Sequence, residues 1–194
     1  MYTNKEEIEN WLNSMRVKKY IINDDLTVDI NGPVDLFGIG LRELPVQFGV
    51  VRGAFNCGCN SLTSFKGSPK MVLGPANYIH NYMSSLEYSP EHIGGSFLCD
   101  FTKINSLKFS PKKIDGIFSL VKTPIIELFL DELPHTVRET ISFSSLKNLN
   151  KIKYFEDKYE DDVLIIKLEN IKSVLLENTL SVKEKENRVK LKKI

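Results

Sequence analysis

Val51-Arg-Gly-Ala-Phe-Asn-Cys-Gly-Cys-Asn-Ser-Leu-Thr-Ser-Phe-Lys-Gly-Ser-Pro69 decides the fold, because its pattern returns along the chain at a fixed distance. Gly32, Gly53, Gly74, Gly95 and Gly116 stand 21 residues apart. Two residues before each is a β-branched aliphatic residue: Ile30, Val51, Val72, Ile93 and Ile114. Two and four residues after come Val34/Leu36, Phe55/Cys57, Ala76/Tyr78, Phe97/Cys99 and Phe118/Leu120. Nine residues after stand Leu41, Leu62, Met83, Ile104 and Ile125, and twelve after, Leu44, Phe65, Leu86, Leu107 and Leu128. Ser68-Pro69, Ser89-Pro90 and Ser110-Pro111 close three units at one phase. A period of this size marks a solenoid, in which each unit buries its apolar face only against its neighbours.

The alternation after each glycine reads as a short strand with one buried face. Asn60, Asn81, Thr102 or Thr123 follows, then an aliphatic residue two places on, which reproduces the leucine-rich spacing L-x-L-x-x-N-x-L. Asparagine suits that place because its side chain can bond backbone groups where the strand bends away. Ile39 holds the same place in the first unit and cannot, so that rung is expected to be irregular. Each serine-proline step disfavours helix, which predicts an extended or 3₁₀ return path. The fold class expected is α+β: a short leucine-rich-repeat-like solenoid, its parallel strands stacked into one sheet. A sixth, degenerate unit follows if two residues are inserted near Leu133-Pro134: Val137, Ile141 and Phe143 then keep the phase, and Leu146, Leu149 and Ile152 fill its turn.

A solenoid needs its ends covered. Thr3 with Glu6 reads as a capping box, followed by a helical stripe of Ile8, Trp11, Leu12 and Met15. Residues 20–31 read as a strand, an Asn-Asp-Asp turn and a second strand. The expected division is an N-terminal helical cap over 1–22, a solenoid over 23–152, a C-terminal α/β cap over 153–182 and a basic tail over 183–194.

Composition bounds the function. The 194 residues are 42% hydrophobic and 26% charged, ordinary for a soluble globular chain. A net charge of +1 gives no whole-molecule attraction for polyanions. The longest aliphatic run, Val163 to Ile166, falls far short of the ~20 residues of a bilayer span, and the polar N-terminus is no secretory signal, so no membrane is expected. Three cysteines, an odd number, fit a reducing cytoplasm.

No constellation carries chemistry. Cys57 and Cys99 lie two rungs apart, about 9–10 Å, too far for a disulfide. With Cys59 they do not make up the four ligands of a zinc site, so they read as packing. His80, His92 and His135 are scattered outside any catalytic motif. Glu91-His92 shares its phase with Lys70-Met71 and Lys112-Lys113, as a solvated turn would, and Glu127, Asp131 and Glu132 read as surface. Ser64, Ser85 and Ser106 recur as repeat-maintaining hydrogen bonders. The expectation is a non-enzyme with no catalytic residue, metal or cofactor.

The phase instead predicts a binding face. The first, third and fifth residues after each glycine should point outward, and among these fifteen none is lysine or arginine, which makes the face a poor one for phosphates. Phe37, Ile79, Leu98, Ile117 and Val121 are apolar residues on this side, with Asp35, Asn56, Asn77, Asp100 and Ser119 as polar specificity. A terminal segment folding over the face is the competing reading. A second hypothesis is nucleic-acid binding through Lys66, Lys70, Lys103, Lys108, Lys112, Lys113 and the tail, though exposed lysines are ordinarily just solvated. A third is a self-associating component pairing through exposed rung edges. A monomer or weak oligomer is expected.

Gly53 to Pro69 resembles repeats of the form G-x-F-x-C-x-x-N-x-L-T-S-L-x-G-x-P, found in small leucine-rich-repeat-like proteins encoded by tailed bacteriophages. Ile22 to Gly32 and Leu44-Pro-Val-Gln-Phe-Gly49 look like the N-terminal region of that family, so the resemblance spans about residues 2–150. Thr102 and Thr123 depart from it in place of asparagine, and Tyr78 and Leu120 in place of cysteine. The resemblance implies a phage accessory protein in the cytoplasm of the infected host. Such a protein would bind and inhibit or redirect a host protein, for example a defence-system toxin or nuclease. It carries over no catalytic residue.

Overall fold

The computed structural model describes residues 1–125, 128–144, 164–167, 169, 171–173, 175–176 and 180. A helix, α1 (Lys5–Ser14), precedes the strands β1 (Tyr20–Ile22), β2 (Thr27–Ile30) and β3 (Val34–Asp35). Pairs then alternate around each corner, a glycine in all but the last, where Glu139 stands: β4 (Gln47–Val51) and β5 (Phe55–Asn56), β6 (Met71–Val72) and β7 (Ala76–Asn77), β8 (His92–Ile93) and β9 (Phe97–Leu98), β10 (Lys113–Ile114) and β11 (Phe118–Leu120), β12 (Thr136–Val137) and β13 (Ile141–Phe143). β14 (Leu164–Ile166) comes last.

The chain winds into a parallel β-solenoid of about five turns. Sheet A runs β1-β2-β4-β6-β8-β10-β12 and sheet B runs β14-β13-β11-β9-β7-β5-β3. This corrects the expectation of one sheet. The β-branched residue before each glycine is itself in a strand, so Val51, Val72, Ile93 and Ile114 stack in sheet A while Phe55, Ala76, Phe97 and Phe118 stack in sheet B. Among the described residues only β1 on β2 and β14 on β13, the outermost pairs at opposite ends, are antiparallel. The 21-residue register holds to Phe118, then lengthens to 23 at Phe118↔Ile141 and Lys113↔Thr136. The two-residue insertion read from the sequence is therefore real, and the 3₁₀ turn Leu130–Glu132 falls beside it.

The glycines make the corner between the sheets. A Cβ on Gly53 would lie 2.6 Å from the Gly32 carbonyl carbon and the Pro33 nitrogen, and one on Gly95 would lie 2.7 Å from the Pro75 nitrogen. Backbone presses on backbone there, and no side chain fits.

Inside, each layer keeps its volume by trading sizes between two positions. Phe55 with Cys57 and Phe97 with Cys99 are large then small, while Ala76 with Tyr78 between them is small then large, and all six are buried. Tyr78 fills the space above and below Ala76, its ring 5.7 Å from Phe55, 6.0 Å from Phe97 and 4.8 Å from Phe65. This explains why a tyrosine can stand where neighbouring units have cysteine. The Tyr78 hydroxyl lies against Ser68, but neither oxygen makes a hydrogen bond of good geometry. Phe97 and Phe118 stack at 5.2 Å and 16°, on the same side of their sheet.

Asparagines brace the exit from sheet B. Asn60 Nδ2 donates to the carbonyls of Leu36, Cys57 and Gly58, while its Oδ1 accepts from Leu41 N at 2.9 Å. Asn81 repeats this with Cys57, Tyr78, Ile79 and Leu62. Thr102 and Thr123 keep one carbonyl bond each, to Cys99 and Leu120. Ile39, in the same place, is exposed between Gly38 and Gly40, both at positive φ, consistent with an irregular first rung.

At the N-terminus the helix signal lies one residue later than Thr3/Glu6. Asn4 is the N-cap, its Oδ1 accepting from Glu7 N at 2.9 Å, while Glu7 Oε2 accepts from Thr3 N at 3.1 Å. The reciprocal capping logic is the same, with asparagine as an equally good cap. Ile8 and Leu12 are buried in the core, and Trp11 meets Phe48 edge-on at 6.3 Å. After β14, residues 169, 171–173, 175–176 and 180 are helical, with Ile171 and Leu175 joining the core. Leu146, Leu149, Ile152, Glu127 and the 183–194 tail lie outside the described residues. Among the described residues no helix is long and apolar enough to cross a membrane.

Candidate interaction surface

The residues expected outward do line the outer side of sheet B, because the residues alternating with them, from Val34/Leu36 to Phe118/Leu120, are all buried. Asp35 and Phe37 are exposed, and Asn56, Asn77, Ile79, Leu98, Asp100, Ile117 and Val121 are half-buried between neighbouring rungs. Ser119 is the exception, buried at 7% because its Oγ donates to Asp100 Oδ1 at 2.6 Å and stays against the sheet.

The polar members also serve the sheet itself, each through one side-chain oxygen. Asp35 Oδ1 accepts from Phe37 N and from Asn56 Nδ2. Asn56 Oδ1 accepts from Gly58 N, and Asn77 Oδ1 from Ile79 N. Asp100 Oδ1 also accepts from Val121 N at 2.7 Å. These side chains shape the strand exits from outside as Asn60 and Asn81 do from inside. What they offer a visitor is rigidity.

The apolar members are interleaved with polar ones, Leu98 standing between Asn77 and Ser119, but Phe37 and Ile79 meet. A Cβ built on Gly58 would meet the Phe37 ring at 3.1 Å and Ile79 Cγ1 at 3.2 Å, so those two side chains close over the glycine from either side. The corner beside this face was missed in the sequence. Cys59, His80, Phe101 and Lys122 stand 21 residues apart, all left-handed with φ of 51–59°, and they continue the column begun by Gly38. His80 stacks on Phe101 at 4.3 Å and 11°. Tyr82, also exposed, carries Lys103 Nζ 5.1 Å above its ring. The signal was there as a sixth position after each glycine, but five different residue types hide it.

Sheet A presents the opposite chemistry. On or beside its strands the outer side carries Arg52, Lys70, Lys112, Lys113 and Arg138, with Asp29, Glu91 and Asp115 among them. Glu91 lies between Lys70, at 3.8 Å, and Lys112, which hydrogen-bonds it; Asp115 lies between Lys113 at 3.0 Å and Arg138 at 3.5 Å. The Lys112 hydrogen bond is the main cause holding the Glu91 carboxyl below its ordinary range.

The cysteines are packing atoms first. Cys57 and Cys99 are buried and burial pushes both thiols up, which suppresses the thiolate; Cys59 is exposed. Among the described residues no three His, Cys, Asp or Glu side chains gather as metal ligands.

Fold and surface together define a two-sheet parallel β-solenoid, one outer face free of cations at its outward positions and the other rich in them. No family model matches the chain, and neither a curated protein nor a solved structure matches it.

Proposed function

We propose that the chain is a non-enzymatic protein-binding scaffold that docks a partner on the outer face of sheet B. One observation carries this reading: Phe37, Ile79, Leu98, Ile117 and Val121 lie partly exposed on a sheet whose polar groups already bond one another. A partner there gains apolar burial without stripping water from unsatisfied polar atoms, and the sheet loses little freedom on binding. The stacked His80–Phe101 pair extends the same surface around the corner. α1 does not compete for it in its ring contact, since Trp11 packs on Phe48 of the interior. The leucine-rich spacing and its resemblance to phage-encoded repeats extend this to an accessory protein that restrains a host protein such as a defence toxin or nuclease.

The test is affinity capture from host lysate with the native chain and with Leu98→Lys and Val121→Lys. A specific partner should be held by the native chain and lost from both variants. Retention by both overturns the face.

A further inference from the structure

We propose that the outer face of sheet A, with the aromatic corner at its entrance, binds single-stranded nucleic acid, its cations taking the phosphates and its rings the bases. This goes beyond the reading of sheet B and uses the opposite side of the molecule.

The cations come first. Arg52, Lys70, Lys112, Lys113 and Arg138 share one sheet face, and Lys70, Lys112, Lys113 and Arg138 have 75, 56, 48 and 71% of their side-chain surface exposed. Glu91 and Asp115 each sit between two of them and Asp29 faces outward on β2, so five positive and three negative charges leave the face at +2 on a chain whose total is only +1. The charge is therefore segregated, with no cation on the outer positions of sheet B. A solvated charged surface needs no such sorting.

The rings decide which polyanion. Tyr88 and Phe109 stand 21 residues apart, each three residues before the chain enters sheet A at Glu91 or Lys112. Both are left-handed, φ 66° and 67°, where the unit before them uses Gly67 at φ 92°. Yet Tyr88 is 61% and Phe109 53% exposed, so interior packing does not account for bulky side chains at a position that favours glycine. Lys108 Nζ lies 5.2 Å over the Phe109 ring. Exposed rings at the lip of a cationic track are what unpaired bases stack on, whereas the bases of a duplex are already stacked.

The experiment measures binding of a labelled oligothymidine, alone and as its duplex, by anisotropy against salt. With about two phosphates neutralised, log affinity should fall with a slope near −1.4 against log salt, roughly sevenfold between about 50 and 200 mM. Lys70→Glu with Lys113→Glu should flatten that slope, and Lys5→Glu on α1 should not. Tyr88→Gly and Phe109→Gly remove the rings while placing at each site the residue the backbone prefers. Each should weaken single-strand binding about tenfold with the thermal midpoint unchanged or raised. Absence of salt-dependent binding, binding untouched by the lysine pair, or duplex bound as tightly as single strand and indifferent to both glycine variants each overturns the proposal. Capture of a protein through sheet B succeeds or fails independently of all of them.

Discussion

The two sheets are built by one repeating unit and differ in everything a partner would meet. Sheet A turns five cations and three carboxylates outward; sheet B turns out two carboxylates, both bonded to its own strands, with apolar side chains set among them. Inward, the two are alike: Val51, Val72, Ile93 and Ile114 on one side face Phe55, Ala76, Phe97 and Phe118 on the other, all buried. Stacking in register constrains each inward residue by the ones above and below it, so the interior repeats. The outer positions touch only neighbours on their own face and can diverge, provided strand exits remain hydrogen-bonded. The repeat therefore fixes the frame and leaves two independent surfaces to be written on it.

Breaking the shared frame should have the largest effect and remove both surfaces together. Gly95→Ala forces a Cβ to 2.7 Å from the Pro75 nitrogen, and about 3 kcal/mol of stability should be lost, the upper part of the overpacking range, read from the urea midpoint. Asn81→Ala leaves Leu62 N–H without its acceptor and takes a donor from the Tyr78 carbonyl, while Cys57 O keeps Asn60 and Ile79 O keeps Cys59 N, and should cost about 2 kcal/mol. The faces separate at the next level. Leu98→Lys should lower partner affinity at least about tenfold, as loss of a central apolar contact does, while stability stays within about 0.5 kcal/mol. A fall in stability matching Asn81→Ala would mean that sheet B's outer face is packed against the protein itself.

The smallest effect sharpens the contrast electrostatically. The Glu91 carboxyl is held below its ordinary value by Lys112, so its contribution to stability is present above the unfolded value near 4.5 and is lost as pH falls through the lower folded value. Glu91→Gln should therefore flatten the acid limb of a stability–pH curve slightly. An equivalent change in Asp35, which answers to Phe37 N and Asn56 rather than to a lysine, should be insensitive to salt where Glu91→Gln is not.

Much of this was legible in the residues, for a physical reason. A 21-residue recurrence cannot be kept by chance, and glycines at fixed spacing announce a close approach whatever surrounds them; even the two-residue insertion before Val137 could be read. Beyond its opening β1–β2 hairpin, which residues 20–31 announced, sheet A was not legible, because its later strands are mostly two residues long and a single β-branched residue before a glycine shows no alternation. Ser119 was placed outward correctly by phase, yet phase says nothing of the 2.6 Å bond to Asp100 that buries it. The aromatic corners escaped because left-handed positions carry glycine, tyrosine, histidine or phenylalanine without a common type. Asn4 displaced Thr3 as helix cap since both offer an acceptor oxygen and only one backbone can have the right geometry.

The unvarying register from Val34 to Phe118 has one more consequence. Any 21-residue window inside it can be cut out or copied, and the severed ends will still find each other at the same corner, one layer nearer or farther. Length is thus an adjustable quantity in this architecture, within what the size exchange between neighbouring rungs allows. A shortened or lengthened molecule would carry its two surfaces over a different number of strands, changing how much of a long ligand it can span while the chemistry of each contact stays the same.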